Sequence, residues 1–133
     1  MPKKETIERA KSDKRAGKSP GTQAGEFVRE EIENIRAGKH GARSAKQAIA
    51  IGLSEARRVG VDLKPPAKGE TSEKTRKSAQ SAYEKGQRHE PISKAHSRSS
   101  EKALEKESQA AASPAALSRQ ARSAAETRKR TKP

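Results

Sequence analysis

Ten large apolar side chains, Phe27, Val28, Ile32, Ile35, Ile49, Ile51, Leu53, Val59, Val61 and Leu63, fall between Ser19 and Leu63 of a 133-residue chain. This clustering limits what the chain can fold into, because burial of apolar surface is the main term offsetting the entropy of ordering. Charge in the same stretch nearly cancels, with seven Lys/Arg against six Asp/Glu, so almost all of the formal +14 lies in the flanks. Residues 1–18 hold seven basic and three acidic residues, and residues 64–133 hold 17 and eight. Low apolar content and high net charge characterise segments that stay unfolded. The sequence therefore reads as all-α: a small two-helix hairpin core at 19–66, flanked by a basic arm at 1–18 and a Lys/Ser/Ala-rich basic arm at 67–133. Both arms are expected to be mostly disordered, with transient helices.

Ser19-Pro20 is a helix start, Ser as N-cap and Pro at the first helical position, with Thr22 as an alternative cap. Ala24, Phe27, Val28, Ile32 and Ile35 then recur at helical spacing up to Ala37, and Gly38 suits the C′ position. Glu26, Glu30 and Glu33 read as a solvated face, while Glu31 falls inside the apolar stripe and needs a basic partner or an outward lean. Ser44-Ala45-Lys46-Gln47 reads as a capping box opening a second helix, which runs to about Val59 and stops at Gly60. On a helical wheel Ala45, Ala48, Ile49, Gly52, Leu53, Ala56 and Val59 share one arc, and Lys46, Ala50, Ser54, Arg57 and Arg58 the opposite one. Gly52 on the inner arc permits close approach of the first helix. Outside the core, Thr6–Ala16 forms at most a fraying helix. Glu73–Lys85, Ser100–Ala112 and Ala115–Arg130 carry local helix signals.

Several classes of function are disfavoured. The absence of cysteine removes thiol chemistry and disulfides. His40, His89 and His96 are scattered, with no partner at metal-ligand spacing, so no metal site is expected. Gly17-Lys18-Ser19 lacks the first glycine and the preceding strand of a phosphate-binding loop. A core this small offers no water-excluded pocket of ordinary ligand size. No enzyme activity, cofactor or small-molecule substrate is expected. No apolar run reaches the roughly 20 residues of a membrane span, and the charged start leads into no signal h-region, so a cytoplasmic location is expected.

The run from Ser19 through Gly25-Glu26-Phe27-Val28-Arg29-Glu30-Glu31 to Ile32, followed by Gly38 through Lys46-Gln47-Ala48-Ile49-Ala50-Ile51-Gly52-Leu53-Ser54-Glu55-Ala56 to Arg57, resembles the DUF6496 family of small basic bacterial proteins. Lys46–Arg57 is the most specific part, and the resemblance covers about residues 1–66. It implies a bacterial source and no established activity or site residues.

The basic excess carries the functional signal. A pI near 10.4 and Lys/Arg-rich flanks are the footprint of a polyanion binder. Base stacking is not available to a chain whose aromatics are one Phe and one Tyr. The expectation is sequence-independent contact with the phosphates of duplex DNA, in the manner of a nucleoid protein, through the arms and the second helix. The candidate contacts are Lys39, Arg43, Ser44, Lys46, Arg57 and Arg58, with Arg43 and Ser44 beside the free amides of a helix N-terminus. His40 reads as a loop residue or as a pH-sensitive phosphate contact. The alternatives are a helical interaction module that forms a homodimer through Phe27 and Ile51, and an RNA- or ribosome-associated basic protein.

Overall fold

The Ser19-Pro20 cap starts its helix where the sequence places it, but that helix is flanked by others rather than by disordered arms. A computed structural model describes residues 2–92, 102–105 and 107–131. Its elements are α1 (Lys4–Arg15), α2 (Pro20–Arg36), α3 (Ala45–Arg58), α4 (Glu73–Gln87), a 3-10 turn (Gln109–Ala112) and α5 (Pro114–Thr131). The fold is all-helical, and the expected two-helix core with long disordered arms is overturned. α1 packs on α2, α4 packs on α3, and the 3-10 turn seals the far end of the α2–α3 pair. Part of the Ser100–Ala112 helix signal lies outside the described residues.

The caps are local and follow from side-chain chemistry. Ser19 Oγ accepts from the Thr22 amide at 3.3 Å, and Ser44 Oγ accepts from the Gln47 amide at 3.1 Å. Gln47 reaches back as in a capping box, but its Oε1 takes the Arg43 amide, one residue before the cap, at 2.6 Å. Ser72 caps α4 in the same way through the Thr75 amide. Gly38 ends α2 at φ +80°, letting its own amide reach the Ile35 carbonyl and the Lys39 amide the Asn34 carbonyl.

Packing depends on small residues. At Gly52 the α2 and α3 backbones touch: a Cβ there would stand 2.6 Å from the Val28 Cα. At Gly86 a Cβ would overlap the Arg57 carbonyl, so α4 crosses the end of α3 with almost no gap. One core cluster joins Ala10, Ala24, Phe27, Ala56 and Val61, with Ile7, Leu53, Val59 and Leu63 against it. A second joins Ile35, Ala42, Ala48, Ala111 and Ala112, with Ile32 against it. The flanks thus contribute Ala10, Ala111 and Ala112 to the interior. Alanine buries little area each, but it loses no side-chain entropy and allows close helix contact.

Polar ties complete the docking. The Lys3 amide donates to Glu30 Oε1 at 2.7 Å, and Arg9 pairs with Glu26 at 3.1 Å, joining α1 to α2. Arg36 Nε donates to the Ala112 carbonyl at 2.9 Å. The amides of Gly41 and Ala42 reach the carbonyls of Leu104 and Ser108, each at 2.9 Å. Among the described residues no helix is long and apolar enough to cross a membrane.

Candidate nucleic-acid interface and acidic cleft

The six sequence candidates do not form one surface. Arg43, Ser44 and Lys46 lie exposed at the N-terminus of α3, and Lys39 is exposed just after α2. Arg57 is withdrawn from any such surface. It is only 6% exposed, and its guanidinium donates to the carbonyls of Leu63 and Lys64, both at 3.1 Å. Burial lowers its pKa from the ordinary arginine value. Arg58 is half-buried and its two terminal nitrogens donate to the carbonyls of Glu90 and Pro91, at 2.7 and 2.9 Å. Of the arc of α3 expected to face solvent, Lys46 and Ala50 stay exposed, while its C-terminal end, with Arg57 and Arg58, is covered by the chain before and after α4. Arg57 and Arg58 hold that cover in place.

What remains of the interface acquires partners that sequence reading missed. α5 docks beside the start of α3, and between them lies a shallow cleft of about 390 Å³. Arg43 and Ser44 line it from one side, and Arg119, Gln120 and Ser123 from the other, with alanines as its floor and no carboxylate in its lining. The positive end of the α3 dipole opens here. Arg119 had no distinguishing signal in the sequence, because its value comes only from where α5 docks.

The acids gather elsewhere. A larger open cleft of about 1020 Å³ lies between α2, α3 and α4, where the sequence reading expected no pocket. Glu30 and Glu31 of α2 and Glu55 of α3 line its inner part. Glu30 and Glu31 are 3% and 2% exposed, which corrects the solvated-face reading of Glu30. Glu31 finds its basic partner in His40, whose Nε2 lies 3.2 Å from Glu31 Oε1. His40 Nδ1 faces the Gly41 carbonyl at 3.2 Å, so the ring is engaged at both nitrogens. Glu55 has its pKa pushed up to about 7, first by burial and then by the Glu31 charge, with Glu30 adding to the rise; the amino terminus and His40 oppose it. Glu30 Oε2 is buried with no hydrogen-bond partner among the described residues. No group of three His, Cys, Asp or Glu among those residues is arranged to hold a metal ion.

The only phenylalanine and the only tyrosine are both committed. Phe27 is fully buried, and the Tyr83 hydroxyl donates to Asp62 while Lys64 Nζ sits 5.1 Å from the ring centroid. Of the two residues that suggested a homodimer, Phe27 packs in the core, while Ile51 is partly exposed and lines the open acidic cleft.

With this geometry in place, comparison with known families adds one match. Residues 10–68 match the family model DUF6496, a family of unknown function. No curated protein and no solved structure matches the chain. The DUF6496 segment contains the buried acids, His40, Arg57 and the capped start of α3. The elements that turn these into clefts, α4 and α5, lie beyond it.

Proposed function

We propose that the protein binds nucleic acid through its phosphate backbone, with duplex DNA as the preferred form and no base-specific readout. The observation that carries this reading is the sorting of charge. Buried acids are drawn into the inner cleft, nearly all the described lysines and arginines stand exposed, and the cleft between α3 and α5 holds Arg43 and Arg119 with no carboxylate. Such a surface attracts polyanions by counterion release and needs no particular sequence. The lack of a free aromatic platform favours duplex over single strand. The contacts are Arg43, Ser44, Lys46 and Arg119, with Lys39 and the exposed cations of α1 and α5 adding long-range attraction. In this reading the protein works in the nucleoid of a bacterial cytoplasm.

The test is fluorescence anisotropy of the full chain with labelled duplex DNA, duplex RNA and single-stranded DNA over a salt series. Duplex DNA affinity should fall steeply with salt. Replacing Arg43 and Arg119 together by alanine should lower the slope of log affinity against log salt by about two. Undetectable duplex binding at about 150 mM salt would overturn the reading, and tighter binding to RNA would move it to the RNA-associated alternative.

A further inference from the structure

His40 lies in the connection between α2 and α3, and its side chain is only 10% exposed. Both ring nitrogens face acceptor oxygens. Nε2 lies 3.2 Å from Glu31 Oε1, and Nδ1 lies 3.2 Å from the Gly41 carbonyl. A neutral imidazole carries one N–H and serves one of the two, whereas the imidazolium donates to both. The carboxylate is the stronger acceptor. A ring with a single proton therefore keeps it on Nε2 and turns the Nδ1 lone pair toward the Gly41 oxygen.

That carbonyl is one side of a peptide group whose other side anchors the C-terminal flank. The peptide joining Gly41 and Ala42 is planar, so its C=O and its N–H turn together. Its N–H, that of Ala42, donates to the Ser108 carbonyl at 2.9 Å, and the Gly41 amide donates to the Leu104 carbonyl at the same distance. The approach is close: a Cβ at Gly41 would overlap the Glu107 carbonyl. Ala42 is buried against Ala111 and Ala112 of the 3-10 turn, and α5 follows that turn directly. The His40 ring thus orients the peptide that holds the segment leading to Arg119.

We propose that His40 is a pH-sensitive latch: as the imidazolium it holds the Gly41–Ala42 peptide against Ser108, and on losing its proton it frees that peptide and loosens the docking of Leu104, Ser108 and the 3-10 turn. The latch stands apart from the nucleic-acid reading, although it sets where α5 places Arg119. Charges face the same cleft from each element around it. They are Glu30 and Glu31 of α2, Glu55 and Arg58 of α3, Lys85 of α4, Glu90 and Glu105 beyond α4, Lys3 before α1, and Lys39 beside His40. The amino terminus acts on Glu55 as well. Burial, and next the Glu31 charge, pushes the Glu55 pKa up to about 7, so the test must separate its titration from that of His40.

The test is amide hydrogen exchange of the isotope-labelled full chain, followed by NMR from about pH 5 to about pH 9 and expressed as protection relative to a free peptide, with the His40 ring nitrogens observed in the same samples. The Ala42 amide should lose protection by about tenfold or more as the ring loses its proton, both with one midpoint, and the neutral ring should carry its proton on Nε2. Glu55→Gln should keep this step, while the Val61 amide, which donates to the Ala56 carbonyl at the end of α3, shows none in that variant. His40→Gln, which offers one nitrogen where the ring offers two, should hold Ala42 at low protection with no step. Ala42 protection that ignores the ring, a ring that keeps both protons throughout or ends protonated on Nδ1, a step lost or shared by Val61 in Glu55→Gln, or unchanged protection in a folded His40→Gln would each overturn the proposal. Should His40→Gln fail to fold, the wild-type and Glu55→Gln series decide by themselves.

Discussion

Removing the charge of Glu55 should stabilise the protein at alkaline pH and leave it unchanged in acid. Glu55 titrates near pH 7 in the folded chain, against 4.5 for its ordinary value. Between those two values the native state holds a proton that the unfolded state has released. Stability therefore falls as pH rises through this window, and the full loss is present above about pH 7. At 1.36 kcal/mol per pH unit the gap corresponds to about 3 kcal/mol, which solvent at the outer edge of the side chain reduces to about 2. Glutamine keeps the shape and cannot ionise. Urea denaturation of wild type and Glu55→Gln at pH 5, 6, 7 and 8 reads this group together with its coupling to Glu31, Glu30 and His40, since the titrations of groups remote from it are common to both chains. The stability difference should grow from about 0.5 kcal/mol at pH 5 to about 2 kcal/mol in favour of the variant at pH 8, with m unchanged. A difference that stays constant across the series, or one that favours wild type at pH 8, refutes the account of Glu55 as a carboxylate disfavoured by burial and by Glu31.

Other perturbations test the packing. Gly52→Ala should destabilise by about 1–3 kcal/mol in thermal melts, since its Cβ would stand 2.6 Å from the Val28 Cα, whereas Gly25→Ala, with open space around it, should stabilise by about 0.5–1 kcal/mol. Arg57→Ala leaves the Leu63 and Lys64 carbonyls without their donor and should cost about 2–4 kcal/mol in denaturant unfolding, while the salt slope of DNA binding by the folded protein stays unchanged.

The elements outside α2 and α3 show why composition misleads here. Residues 1–18 and 67–133 have few large apolar side chains, so on their own they cannot offset the entropy of folding. The described helices of these flanks fold because α2 and α3 offer apolar surface that small flank residues can reach, and because Arg36 and Arg58 donate to flank carbonyls. Ala10 enters the Phe27 cluster, Ala111 and Ala112 cover Ile35, and Gly86 lets α4 lie against the Arg57 carbonyl. None of these residues stands out in a window of sequence, since each matters only against a partner far along the chain.

The sequence by itself determined what local chemistry determines: the Ser19 and Ser44 caps, the stop at Gly38 and Gly60, and a strong excess of positive charge. Those features depend on neighbours within a few residues. Only the tertiary structure decided which charges face outward. Arg57 and Arg58 sit on the arc of α3 that a lone helix would expose, yet α4 and the chain around it turn them into internal donors. Glu30 lies on a face that reads as solvated, yet α1 closes over it and the Lys3 amide takes one of its oxygens. Burial depends on long-range contacts, and burial decides whether a charged side chain contacts a ligand, holds the fold together or waits for a counter-charge.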